Sequence, residues 1–546
     1  MESSHAILRL TSFPVVELSA SNESVYIDPL PLNNGPKDVS FRIPLALYAV
    51  LLAWLAWRLW TFTIFPLFYP NRPKIYPYSV PWLGHSLQFV FNADKTLDEA
   101  RNYFGNRREP FTFVLGGKNV HMITSAKDTT AVFKSPDKLI FDTYIQDMML
   151  RFGISQHGVD ATWHSPSAPG SRNRTLFKTM ESTMKKQLNP GNEMKKLEDN
   201  LLSRIDENLT WARVPGTGTS VSDSTEKIVP LLEWSRECLL KSVTTAFYGE
   251  AIFKVEPDFL EIFSNFDDNG WKLPYRVPAK FSQDMLQPKE AAQRAFRRYF
   301  DLPTSERADA CWMVHEVEAE MRTAGITTDD ISTFLLMVYW GVNTNAWKAA
   351  FWMIASIIAN PILKISIEQE IFPYTQANPP LCPAELQEKL EQCPLLTATY
   401  NETLRVFTSS TAARDVKTEC VIGGVTLEEG SRLVIPYRQM QFDEEVFGAN
   451  ASHFDPARFF LNPSLAKHPS FRPYGGGLAY CPGRFIAQKE ITYFNAMILS
   501  KFHLELNDPS SPMPRMNTTK PCAGVVQVAS GDEMVLKVKE RTLQAL

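Results

Sequence analysis

No two of the seven cysteines in this 546-residue chain form a CxxC pair, and none stands with histidines at zinc-binding spacing. That argues against a zinc module or a dithiol redox motif. The seven lie far apart, at 238, 311, 382, 393, 420, 481 and 522, and their odd number fits free thiols in a reducing compartment. An excess of basic charge is also missing. Lysine and arginine total 56 against 60 aspartates and glutamates, a net charge of −4, where a nucleic-acid binder is usually strongly basic. Internal repeats and low-complexity tracts are absent beyond the first 83 residues. What is present is 44% hydrophobic, 12% aromatic and 21% charged residues, a globular composition with material for a large core.

Charge is missing, too, from Ile43 to Trp57, and only Arg58 interrupts the apolar run that continues to Phe65. As a helix, those residues would rise about 35 Å, enough to span a bilayer, with Arg58 placed to snorkel to the interface. A buried core helix is the other reading of such a run. The 41 polar residues in front of it fit a cleaved signal peptide poorly. The tail is acidic, whereas Arg58, Arg72 and Lys74 follow the run, so the expected orientation puts the bulk of the chain in the cytosol. Asn22-Glu23-Ser24 is then a luminal glycosylation sequon. Prolines at 66, 70, 73, 77 and 81 predict a stiff hinge. The expected organisation is a luminal tail (1–41), a transmembrane helix (42–65), a hinge (66–83) and a catalytic domain (84–546).

Beyond the hinge the pattern is mostly helical. Periodicity points to helices near 94–105, 174–188, 226–248, 285–300 and 306–322, and to a shorter one at Pro394–Thr408. The longest helix is expected to start after Thr327 or Thr328, with Asp329 and Asp330 in its first turn. It should run to about Asn360-Pro361, apolar almost all round, and so cross the middle of the domain. Phe111–Leu115 and Asn119–Ile123 flank Gly116-Gly117 as a hairpin, and CVIGGVTL and RLVIPYRQM read as strands. The fold class is mainly α with a minor β-sheet.

Phe471–Ala487, FRPYGGGLAYCPGRFIA, is the segment that carries chemistry. Its cysteine, Cys481, stands just before an amphipathic helix, where backbone N–H groups and the positive helix end favour a thiolate. The glycines let backbone and a flat cofactor approach closely. A buried cysteine beside a glycine turn is the plainer reading. The segment resembles the haem-binding loop of the cytochrome P450 family, with Tyr474, Gly477, Cys481 and Gly483 at the motif positions. Two departures stand out. Tyr474 replaces the usual Phe, and Ala479 replaces the Arg or His that pairs a haem propionate.

The resemblance extends upstream. Of three Glu-x-x-Arg matches, Glu233/Arg236, Glu402/Arg405 and Glu429/Arg432, only Glu402 and Arg405 fall in a helix at the family's place. Arg458, in FDPARF, is the arginine that the family adds to that pair, and Gln441 stands where the family usually has His. Arg414 takes the place of a propionate-binding arginine. In the central helix, YWGVNTNAWKAAFW carries no acid where the family has one beside a threonine. The preferred register places Asn345 at the threonine position, with Thr344 the alternative. This pattern resembles the branch of sterol 7α- and 12α-hydroxylases and prostacyclin synthase. The resemblance implies haem b, with Cys481 as the ligand to iron, in an enzyme anchored to the endoplasmic-reticulum membrane. The implied partners are NADPH-cytochrome reductase, cytochrome b5 and a hydrophobic sterol- or terpenoid-like substrate. An isomerase or dehydratase of a lipid peroxide, needing no reductase, is the alternative, and a haem-binding membrane protein without catalysis a third.

Overall fold

The computed structural model describes residues 45–164, 175–216, 226–522 and 524–541. It divides into two compact units, Met1–Thr61 and Phe62–Leu546. The tail with Asn22 lies outside the described residues. In the first unit the helix Leu45–Leu59 turns apolar side chains such as Leu47, Val50 and Leu52 outward, and Arg58 stacks over the Trp54 ring. The helical run Ala46–Phe68, 23 residues long and with its apolar window wholly unburied, is long and apolar enough to cross a membrane.

The second unit is mainly helical with a minor sheet. Eleven strands are described: β1 (Lys74–Ile75), β2 (Phe111–Leu115), β3 (Lys118–Met122), β4 (Leu139–Ile140), β5 (Glu226–Pro230), β6 (Thr411–Val416), β7 (Cys420–Ile422), β8 (Val425–Leu427), β9 (Arg432–Pro436), β10 (Phe502–Leu506) and β11 (Val535–Glu540). A six-stranded sheet runs β1-β2-β3-β9-β6-β4, with β2 and β3 closing the expected hairpin at Gly116-Gly117. A three-stranded sheet runs β10-β11-β5, and β7 pairs with β8.

Four expectations need correction. RLVIPYRQM is a strand only over Arg432–Pro436, with Tyr437–Gln441 helical, and the helix expected near 306–322 is a short turn, Thr304–Arg307, followed by a helix at Trp312–Thr323. Residues 226–230 are a strand, not the first turn of a helix, because their backbone pairs with β11; the helix starts at Leu231. The long central helix is broken. It begins as expected, with Thr327 capping the Asp330 amide, and occupies Thr328–Asn343. Thr344 and Asn345 interrupt it, and a second helix, Ala346–Ile358, continues with all thirteen residues buried. The interruption falls where two adjacent side chains bond to other segments of the chain: Asn345 accepts from the Val525 amide (2.8 Å) and Thr344 donates to Asp267. The helices Leu231–Tyr248, Pro394–Phe407 and Arg484–Lys501 pack against the second of these helices, Ala346–Ile358.

Candidate active site

Cys481 ends a loop that the 484–501 helix follows. Its N–H donates to the Tyr474 carbonyl (3.1 Å), and its carbonyl accepts from Arg484 Nη1 (2.9 Å), so the loop is closed at both ends. Burial pushes its thiol up, while the Gly483 amide, the Arg484 charge and the Arg484 amide pull it back towards the thiolate. Gly477 has a positive φ of 63°, and a Cβ there would stand 2.9 Å from the Phe133 ring, so no other residue fits without displacing that ring. The Tyr474 hydroxyl pairs with that of Tyr400 at 2.7 Å.

Glu402, Arg405 and Arg458 come together. Glu402 and Arg405 are fully buried and paired through two bonds of 2.7 and 2.8 Å, and Arg458 stands 3.6 Å from Glu402. Arg405 also donates to the carbonyls of Gln441 (3.0 Å), Ala451 (2.6 Å) and His453 (2.9 Å). Gln441 in turn donates to the Arg405 carbonyl, so this departure from the family pattern is a structural peg. The other two Glu-x-x-Arg pairs separate: Arg236 faces Asp268 and Arg432 faces Asp415.

Arg414 lies on β6, 5% exposed; among the described residues it makes no ion pair, but it donates to the Ala413 carbonyl (2.7 Å) and lies over the Phe141 ring. Arg472, half-buried at the start of the cysteine loop, has an Nε without a partner and makes no ion pair among the described residues. Both guanidiniums act on the Tyr437 phenol, whose hydroxyl lies beside Gly475 of the loop. Two arginines that form no ion pair among the described residues, both acting on the tyrosine beside the glycines of the cysteine loop, fit a flat, dianionic group such as haem. No group of three or more His, Cys, Asp or Glu residues is placed to hold a metal ion among the described residues, and a haem iron needs only one such ligand.

At the helix break a cavity of about 220 Å³ is lined by Gly341, Thr344, Asn345, Val525, Asp267 and Lys348. Thr344 and Asn345 therefore share one wall, while Asn343 turns away and donates to the Tyr339 carbonyl (3.1 Å). Sequence reasoning missed Asp267 and Lys348. Lys348 lies in YWGVNTNAWKAAFW, four residues after Thr344 and so on the same helix face, a spacing that marks it; no local pattern marks Asp267. It also missed Arg472, which the FRPYGGG segment contains.

A family profile described as Cytochrome P450 matches residues 248–534, more than half of the chain. Human 7-alpha-hydroxycholest-4-en-3-one 12-alpha-hydroxylase is 24% identical over 501 residues, 84% of this chain and 91% of that protein. Rat prostacyclin synthase is 22% identical over 493 residues, with 84% and 92% covered. The cytochrome P450 monooxygenase poxD of Penicillium oxalicum is 23% identical over 466 residues, with 82% and 90% covered. The retinoic acid-bound cyanobacterial CYP120A1 structure shares the fold at a TM-score of 0.66 and 17% identity, covering 86% of this chain and 99% of that one.

Proposed function

This chain belongs to the cytochrome P450 family, and we propose that within it the chain is a membrane-anchored haem-thiolate monooxygenase of a hydrophobic, sterol- or terpenoid-like molecule. The observation that carries the reading is Cys481, held at a helix start with two amides and an arginine opposing the effect of burial on its sulfur. Cys481 would supply the iron ligand, and Arg414 with Arg472 would face the propionates. Haem held by a thiolate supplies the activation of oxygen.

The chain's own residues do the rest. Tyr474 and the glycines shape the loop, and Glu402, Arg405 and Arg458 fix the 441–458 segment. Thr344 and Asn345 place polar groups on the wall of the cavity that would receive the substrate. Support for the substrate class comes from the 12α-hydroxylase relative. The Ala46–Phe68 helix supports anchoring in the endoplasmic-reticulum membrane, with a reductase and cytochrome b5 as electron donors.

Oxygen and NADPH consumption by purified protein with a reductase, across a panel of sterols, terpenoids and lipid peroxides, tests this. Matched consumption of both with a hydroxylated product supports it. Turnover of a lipid peroxide without reductase would instead establish the isomerase reading, which the prostacyclin synthase relative and the missing acid of the central helix favour.

A further inference from the structure

The central helix has no acid between Tyr339 and Trp352, yet another helix brings one to its break. Asp267, near the end of the Phe259–Asn269 helix, is 7% exposed. Its Oδ1 accepts from Trp340 Nε1 (2.9 Å) and from the Thr344 hydroxyl. Its Oδ2 accepts from Lys348 Nζ (2.8 Å), and Lys348, 6% exposed, also reaches Thr344 Oγ1 at 3.4 Å. A buried ion pair is a weak source of stability, so a structural role alone accounts poorly for two charges in a cavity wall.

Lys348 has a second aspect. It also lines another cavity, of about 270 Å³, together with Arg236, Asp268 and Gln527. The exposed residues Ser530, Gly531 and Glu533 open that cavity to solvent. Asp268 stands at this outer side, 3.4 Å from Arg236 and 3.2 Å from Gln527, and burial pushes its carboxyl up. The two cavities thus meet at Lys348, which lines both, with Asp267 and Thr344 on the inner side.

We propose that Asp267 is the carboxylate missing from the central helix, supplied from a neighbouring helix, and that with Lys348 it forms a solvent-fed relay replenishing the proton at Thr344 Oγ1. The proposal rests on the oxygenase reading. Thr344 gives its hydroxyl proton to an acceptor in the inner cavity and takes one from Lys348 Nζ. Lys348 is then reprotonated by water in the outer cavity. Asp267 stays a carboxylate, orienting both donors and favouring the return of the charge to Lys348. The net change is one proton moved from solvent to the inner cavity, with no electron transferred. Asp267 is a positioning residue here, and Thr344 is the group that meets the reacting atoms.

The test uses the full-length haem-loaded protein with reductase and a substrate from the panel, comparing Asp267→Asn, Lys348→Met, Thr344→Val and Thr344→Ser. The first three should keep the thiolate carbon-monoxide band. Product formation should fall on the order of 100-fold, as for a lost general acid, with NADPH diverted to hydrogen peroxide. Thr344→Ser should rescue coupling. Independently of turnover, the infrared stretch of carbon monoxide on the reduced protein should shift in Asp267→Asn and Lys348→Met but not in Thr344→Ser. The double variant Asp267→Asn/Lys348→Met removes both buried charges and covers the case in which a single variant fails to fold. Full coupling in any folded variant lacking Asp267 or Lys348, or a loss confined to KM, overturns the relay. Wild-type protein without reductase-dependent oxygen uptake overturns the oxygenase reading and the relay together; uptake with unaffected variants overturns the relay alone.

Discussion

Replacing Glu402 by alanine isolates the arginine at the centre of the 441–458 segment. Arg405 has no side-chain exposure, and its counter-charge comes from Glu402 through two short bonds. Arg458, 3.6 Å away, would then add a second positive charge facing it without the carboxylate between them. Removing one partner of a buried pair costs about 3–5 kcal/mol, because the other charge stays desolvated. An unfolding entropy near 2.1 cal/mol/K per residue over roughly 480 residues gives about 1 kcal/mol/K, so Tm should fall by about 3–5 °C. Urea titration of the haem-loaded protein, followed by haem absorbance and intrinsic fluorescence, measures the loss directly. Combined with Arg405→Ala, the cycle should show a coupling of about 2–3 kcal/mol. Glu233→Ala and Glu429→Ala, both at exposed sites, should stay within about 0.5 kcal/mol of wild type. A Glu402→Ala loss below about 1 kcal/mol, or strict additivity with Arg405→Ala, would refute the reasoning.

Three further outcomes are expected. Cys481→Ala should abolish the red-shifted carbon-monoxide band of a thiolate-bound haem, whereas Cys238, Cys311, Cys382, Cys393, Cys420 and Cys522 should each be replaceable without losing it; a band surviving in Cys481→Ala sinks the ligand assignment. Burial pushes the Glu490 carboxyl up to about 8 from 4.5, so the folded state holds an extra proton between those values and stability falls as pH rises through that window. Glu490→Gln should flatten that fall and be the more stable protein above pH 8, and parallel stability–pH curves would contradict this. In cells, Asn22 should carry glycan. Asn208 is a poor reporter of orientation, since its side chain is buried against Ser242, but in Asn450-Ala451-Ser452 both Asn450 and Ser452 are exposed, and glycan on Asn450 would invert the proposed topology.

The cysteine loop and the 394–407 helix were legible because their residues act within short, fixed spacings. Glu402 and Arg405 are three apart on one helix, and only Pro482 and Gly483 separate Cys481 from its helix. The hairpin and the cap at Thr327 were legible for the same local reason. The strand at 226–230 was not, because its partner lies about 300 residues away and the local pattern alone suits a helix start. The 192–208 helix was missed because its apolar face is a narrow stripe, Leu197, Leu201, Leu202 and Ile205, in an otherwise charged sequence. The break at Thr344 has a tertiary cause: an acid on another helix and an amide at 525 compete for side chains that would otherwise sit on a continuous helix. A pairing of that kind, 77 residues apart in one case, leaves no periodic trace.

The segment 524–526 is tied down at four points. Gly524 accepts from Ser409, Val525 donates to Asn345, and Val526 both donates to Phe407 and accepts from the Trp352 indole. Another part of the same cavity's lining, Trp271, Pro274 and Tyr275, belongs to the short turn Gly270–Lys272 and the stretch that follows it before the turn Ala279–Phe281. Opening the first wall requires breaking several buried bonds at once, whereas the second can yield locally. The cavity is therefore stiff on one side and compliant on the other. Bulk added to the end of a ligand facing 271–275 should be absorbed with little loss of affinity, while a single added methyl facing Val525 should be rejected.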